Sequence, residues 1–209
     1  MAAQFSYRPL DPSRIQIRVL QVHAAPESST STVHCTIKHV SLLDRPLPQY
    51  EAMSYAWGDP SLRCSIILDG FPTDVPASSE QALRQMRMED NLRTIWIDAI
   101  CINQRDVEER SQQVAMMADI YRSTVRVLVY LGPPHPAADQ ALQELDYILR
   151  DMYATSHYEQ VFDKKGFWIS KVGFLSPQNA TGGGEPEARH VPPKDFPALM
   201  GLYERAWFR

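Results

Sequence analysis

The chain has 209 residues, 44% of them hydrophobic and 22% charged, which excludes a wholly disordered or coiled-coil protein. At this length roughly 70% of the unfolded surface is buried on folding, so a core forms without metal or disulfide staples. Twenty-one Lys and Arg against 25 Asp and Glu leave a net charge of −4, too little basic field to expect nucleic acid or membrane as a partner.

Cys35, Cys64 and Cys101 are scattered and form no CxxC pair, the pattern of small buried thiols in a reduced intracellular protein. No apolar run reaches the roughly 18 residues of a membrane span. The opening MAAQFSYRPLDPSR has no apolar secretory region. The expected location is the cytoplasm.

Taken in chain order, the first third alternates with period two. Ile15, Ile17 and Val19 alternate with Gln16 and Arg18, and Val33, Cys35 and Ile37 with His34, Thr36 and Lys38. Each segment therefore predicts a strand with one apolar face, and the two pair as an antiparallel flap. Tyr50 to Trp57 reads as a third strand, closed by Gly58-Asp59-Pro60. Asp69-Gly70 between two short apolar runs predicts a tight hairpin.

A helix follows, begun by Ser78 with Gln81 as its capping-box partner and with Ala82, Leu83 and Met86 on its apolar stripe. Thr94 to Asp98 reads as a short strand buried on both faces. Asp106 caps the next helix, whose stripe reads Val107, Val114, Met117, Ala118 and Tyr121. Val125 to Leu131 is another buried strand. Ala138 to Met152 then follows the helical i, i+3, i+4, i+7 spacing.

This alternation of helix and strand predicts an α/β fold with a doubly wound, mainly parallel sheet and antiparallel N-terminal hairpins added to it. One domain over 1–209 is expected, with a core over about 14–155 and a loop-rich extension over 156–209. Residues 176–193, with their glycine triplet and prolines, read as a loop, and Phe196 to Tyr203 as a last short helix.

Familiar catalytic signatures are missing. There is no Walker phosphate loop, no GxGxxG after a strand and no GxSxG, and the six histidines have neither HExxH nor zinc-finger spacing. No metal is expected. A Cys101 nucleophile would need a histidine brought to it by the fold.

The unusual polar residues stand instead at strand ends: Trp57, Gly58 and Asp59 after one strand, Asp98 followed by Asn103 and Gln104 after another. Open α/β sheets bind ligands beyond the carboxyl ends of their strands. The same residue types also tie down loops and cap helices, so the chemistry alone leaves both readings open.

At these residues the chain resembles the fungal heterokaryon-incompatibility (HET) domain. The resemblance is carried by Tyr50-Glu-Ala-Met-Ser-Tyr-Ala-Trp-Gly-Asp59 and Ile95-Trp-Ile-Asp-Ala-Ile-Cys-Ile-Asn-Gln104. Glu109-Arg110, Gln113-Val114, Met117, Ile120-Tyr121 and Val127-Leu-Val-Tyr-Leu-Gly132 continue it, over roughly residues 14 to 135. Met53, Ala56 and Tyr130 depart mildly from the family's usual Leu, Val and Trp. The family usually continues into a Trp-containing segment past Arg209, so the chain is expected to be cut short of it.

The resemblance implies a cytosolic effector of regulated cell death in filamentous fungi, acting by proximity-induced self-association. Its partners would be proteins: further copies, an allelic or sensor protein, or other modules of the same full-length chain. HET domains are also similar to Toll/interleukin-1 receptor (TIR) domains, whose sheet is flavodoxin-like and some of which cleave NAD. That likeness implies an alternative, an NAD glycohydrolase activated by oligomerisation, with NAD as substrate and Glu144 as the positional counterpart of the catalytic glutamate.

A carboxylate there would stabilise the oxocarbenium-like cation left as nicotinamide departs. Glutamates flanking an apolar stripe are equally ordinary residents of a solvated helix face. The ligand-binding candidates are Trp57, Gly58, Asp59, Asp98, Asn103 and Gln104. The motif and interaction candidates are Ser54, Tyr55, Cys101, Glu109, Arg110 and Gln113.

Overall fold

The computed structural model describes residues 4–26, 31–130 and Gly132, together with the backbone of a strand at Phe167–Ser170. The helix expected over Ala138 to Met152, including Glu144, lies outside the described residues, as do the 176–193 loop and the segment 196–203.

The two alternating N-terminal segments form β1 (Gln16–Val22) and β2 (His34–Ser41), antiparallel in register from Gln16↔Ser41 to Val22↔Cys35. β3 is Glu51–Tyr55. β4 (Arg63–Leu68) and β5 (Phe71–Pro76) form the expected hairpin around Asp69 and Gly70, at φ +50° and +86°. Positive φ at both central residues is what a type I′ turn requires, and Asp-Gly accepts it.

α1 (Ala77–Met86), β6 (Arg93–Trp96), α2 (Asp98–Cys101), α3 (Val107–Ala115), α4 (Met117–Ser123), β7 (Arg126–Tyr130) and β8 (Phe167–Ser170) complete the described elements.

Among the described residues the strands form one eight-stranded sheet, in the order β5-β4-β2-β1-β6-β3-β7-β8. Its centre is parallel: β3 pairs with β6 on one side and β7 on the other. The N-terminal hairpin joins this core through an antiparallel β1–β6 pairing, and β8 closes the far side antiparallel to β7. β4 pairs parallel with β2 over two residues, His34↔Ile67 and Cys35↔Leu68. The protein is thus α/β, with the parallel character concentrated in β6-β3-β7 and antiparallel strands around it.

Ile17, Leu20, Met53, Leu83, Met86, Ile95 and Trp96 lie in one buried cluster that spans the hairpin and the parallel core. Each fully buried side chain of this kind contributes on the order of 1.5–3 kcal/mol.

Four sequence expectations change. β1 is buried on both faces, because Arg18, expected on a polar face, is 0% exposed. Ser78 does not cap α1: the helix leaves β5 directly at Pro76 with no side-chain cap, and the Ser78 hydroxyl donates to Trp57 O instead. Asp98 opens the short α2 rather than ending β6.

The stripe read along α3 is displaced. Val107 and Val114 are 64% and 53% exposed and Ala118 is also exposed, while Gln113 and Ile120 are buried and Glu109, Met116, Met117 and Tyr121 are half-buried. The inward face carries polar side chains because it meets the buried charge of Arg18.

Candidate functional site

β3 is the central strand of the parallel core, and the two later strands of that core, β6 and β7, lie on opposite sides of it. The chain order therefore reverses at β3, and in such sheets the crevice opens beyond the carboxyl ends of the strands at that point. There stand Tyr55 at the end of β3, Trp57 in the loop after it, and Asp98 at the start of α2, just beyond β6.

The Trp57 indole N–H donates to Asp98 Oδ2 at 3.0 Å, joining the two strand ends directly. Gly58, at φ +66°, turns the chain sharply after Trp57, and a Cβ added there would lie 3.8 Å from Ser78 Cβ. The Ser78 hydroxyl holds Trp57 O at 2.6 Å, so α1 fixes the loop while the indole stays 46% exposed.

Asp98 Oδ1 accepts from Ala99 N at 2.7 Å, and Gln104 Nε2 donates to Asp98 O at 2.9 Å. Burial raises the Asp98 carboxyl above the usual carboxylate range, against the lowering effect of the Trp57 and Ala99 hydrogen bonds. The Tyr55 hydroxyl lies beside this carboxylate, buried and without a hydrogen bond of good geometry, and burial and the Asp98 charge push its pKa up.

Tyr121 completes the wall. Its hydroxyl donates to Met53 O at 3.0 Å, its ring meets Trp96 edge-on, and burial followed by the Asp98 charge raises it to about 12. Ser54 also hydrogen-bonds the Tyr121 hydroxyl. The group offers a carboxyl whose pKa is raised, a buried hydroxyl beside it and an exposed indole face. Together these can donate to, accept from and stack on a polar ring system.

A second group forms behind it around Arg18. The guanidinium makes two hydrogen bonds to the Glu109 carboxylate, at 2.6 and 2.8 Å, and also donates to Cys101 O at 3.1 Å and Arg8 O at 2.7 Å. Its Nε–H is buried without an acceptor. Asn103 N donates to Glu109 Oε1 at 2.7 Å. Burial alone would raise Glu109, but the hydrogen bonds from Arg18 and Asn103 outweigh it and hold the carboxyl below its ordinary value.

Tyr7 stacks under Arg18 at 4.7 Å and donates through its hydroxyl to Ile100 O at 2.8 Å. Gln113 Nε2 donates to Gln16 O at 3.0 Å, and Arg110 to Gln104 O at 2.9 Å. Cys101 Sγ is fully buried, accepts from Ile97 N, and is pushed up to about 12 by burial. A thiol held so firmly protonated is a packing residue and no nucleophile at neutral pH.

The expected residues therefore divide. Ser54, Tyr55, Trp57, Asp98 and Gln104 meet at the strand ends, with Gly58 shaping their loop. Cys101, Asn103, Glu109, Arg110 and Gln113 form or brace the Arg18 knot. Asp59 joins neither: its carboxylate accepts from Ser61 N and Oγ in a local turn.

Ser78 and Arg18 belong to these groups; Ser78 was expected only as a helix cap, and Arg18 carried no motif signal. For Arg18 the available hint is an arginine inside an apolar alternation, which demands an acidic partner if the strand is buried on both faces. Among the described residues no three His, Cys, Asp or Glu side chains converge on a common point as metal ligands would, and no helix is long and apolar enough to cross a membrane.

Fold and site together define an α/β domain with a polar constellation at its topological switch point, braced by a buried arginine–glutamate pair. The family model described as heterokaryon incompatibility protein (HET) matches residues 50–208, and the chain belongs to this family. The match starts at Tyr50 and runs well past residue 135, so it covers both groups except Tyr7, Arg8, Gln16 and Arg18.

Heterokaryon incompatibility protein 6, OR allele, from Neurospora crassa is 37% identical over an alignment of 158 residues that covers 68% of this chain and 22% of that protein. The chain thus spans only a minor part of that relative's length. No solved structure gives a significant match.

Proposed function

We propose that the chain is the HET-domain effector of a fungal heterokaryon-incompatibility protein, acting in the cytoplasm by proximity-induced self-association and death signalling. Membership of the family and the likeness to an incompatibility protein support the biological role. One observation favours association as the mechanism. Glu109 and Gln113 of α3 turn inward onto Arg18 and Gln16 O, while Val107 and Val114, seven residues apart on one helix face, stand in solvent. Exposed apolar side chains at helical spacing suit a protein partner.

The test fuses the chain to an inducible dimeriser in a filamentous fungus and scores cell death with and without the inducer. Induced death is expected, and Val107→Glu with Val114→Glu is expected to suppress it without lowering the amount of folded protein. Death that is indifferent to the double substitution overturns the α3 face as the contact.

A second reading, NAD cleavage switched on by oligomerisation, is favoured by the pairing of Trp57 with Asp98 at the switch point and by the buried Tyr55 hydroxyl beside them. Asp98 and Glu144 would then share the carboxylate roles. Nicotinamide release from NAD by the dimerised protein, abolished by Glu144→Ala or Asp98→Ala, is its expected result. No release above a boiled control removes it.

A further inference from the structure

A cavity of about 600 Å³ lies on the hairpin side of the molecule, between the N-terminal segment and the outer half of β2. It exists because β4 pairs with β2 only at His34 and Cys35, then turns away at Asp69, leaving the β2 stretch from Ile37 onward without a strand neighbour on that side. The space falls within the range of about 300–1,000 Å³ typical of small-molecule sites. None of its lining residues belongs to the Trp57–Asp98 group.

The lining is cationic. Arg8, Lys38 and His39 border the cavity together with Arg18. Asp69 also lines it and keeps its charge while accepting from Ile37 N at 2.9 Å, and Glu109 offsets Arg18, so Arg8 and Lys38 leave the lining net positive. Neither Arg8 nor Lys38 has an ion-pair partner among the described residues.

His39 stands half-buried among these groups. Burial, then the charges of Arg18 and Arg8, lower its pKa, and Glu109 and Asp69 only partly oppose them. An anion placed beside this half-buried imidazole would favour its charged form and raise that pKa.

Phe5 and Phe71 line the same space as half-buried aromatic rings. Tyr7 also borders it, but its ring is engaged by Arg18 and its edge contact with Phe5 at 4.9 Å. Arg8 and Lys38, without an ion-pair partner among the described residues, and an aromatic wall together suit a flat ring carrying an anionic tail.

We infer that this cavity is a binding site for a nucleotide, with its phosphates at Arg8, Lys38 and His39 and its base against Phe5 or Phe71. The inference stands apart from the proposed signalling function and shares no residue with the surface that function uses. Arg18 borders the cavity and also holds Glu109, so occupancy is connected by one side chain to the motif loop.

The test is calorimetric titration of the full 209-residue chain with ATP, pyrophosphate and adenosine in turn. Saturable ATP binding is expected, tighter than either fragment. Arg8→Ala with Lys38→Ala is expected to weaken it at least about tenfold, since each removes a charge-assisted contact. A charge-matched control, Arg63→Ala with Arg122→Ala, lies outside the cavity and is expected to change it little.

In the same samples the His39 ring resonances should show its pKa rising when ATP is bound, because phosphate favours imidazolium. Both alanine pairs replace exposed side chains, and matching thermal melts establish that the variants are folded. Absence of ATP binding, equal weakening by the two pairs, or an unmoved His39 titration overturns the site. Pyrophosphate binding as tightly as ATP overturns the nucleotide assignment.

Discussion

Arg18 carries a charge with no exposed surface, and Glu109 is the group that makes this tolerable. Removing one partner of a buried pair leaves the other uncompensated and costs about 3–5 kcal/mol, whereas replacing both by apolar groups is often neutral. Arg18→Met should therefore lower stability to urea by about that amount, and adding Glu109→Leu should recover most of it.

The pair also sets a pH dependence. Glu109 is held below its ordinary value when folded, so its contribution is present above the unfolded carboxylate pKa and fades as pH falls through the folded one. The double variant should lose that component of acid sensitivity.

Asp98 has the opposite sign. Its folded pKa is raised, so its contribution is complete below the unfolded value and is lost as pH rises through the folded value. Asp98→Asn removes the buried charge and retains an oxygen for the Trp57 N–H. The stability of the variant relative to the parent should improve as pH goes from about 4 to 7, measured by urea unfolding at each pH. A relative stability independent of pH would mean that Asp98 is not burdened by burial.

Among the elements, α3 shows which signals are local and which are not. Asp106 caps it as its sequence position predicts, accepting from Glu108 N at 3.1 Å and Glu109 N at 3.0 Å. Asp106→Ala should cost about 1 kcal/mol, within the usual range for a lost N-cap, read as a lower urea midpoint with an unchanged slope.

The cap is legible because donor and acceptor lie within three residues. The inward face of the same helix is not, because it is decided by an arginine 91 residues away. With Arg18 buried in β1, Glu109 and Gln113 must face inward, and the apolar periodicity of Val107 and Val114 points the other way. Ser78 failed as a cap for a similar reason: its hydroxyl is taken by Trp57 O, 21 residues back, and the helix starts straight from β5. The Asp69-Gly70 turn, which needs only its own two residues, formed as expected.

At the scale of the molecule, the α/β class and its parallel centre follow from the succession of short apolar strands and helices. The sheet order does not. Nothing within β1 specifies that its second edge pairs with β6, or within β4 that it lies parallel to β2, since those choices are settled by burial shared across the whole chain. The candidate site was legible as residues but not as two groups: Asp98 and Asn103 lie five positions apart, yet the first turns to Trp57 and the second to Glu109.

That shared burial has a measurable consequence. Cys35 in β2 and Cys101 in α2 belong to one continuous core cluster, and both thiols are pushed up to about 12 by burial, whereas Cys64 in β4 is only half-buried. Alkylation at neutral pH, followed by mass spectrometry, should label Cys64 quickly. Cys35 and Cys101 need the core to open, and if hairpin and parallel core unfold as one unit they share a single opening free energy. Their protection should then be equal and should fall together with added urea. Cys35 labelling ahead of Cys101 would show instead that the hairpin opens on its own, and that the sheet, though continuous, is two cooperative units.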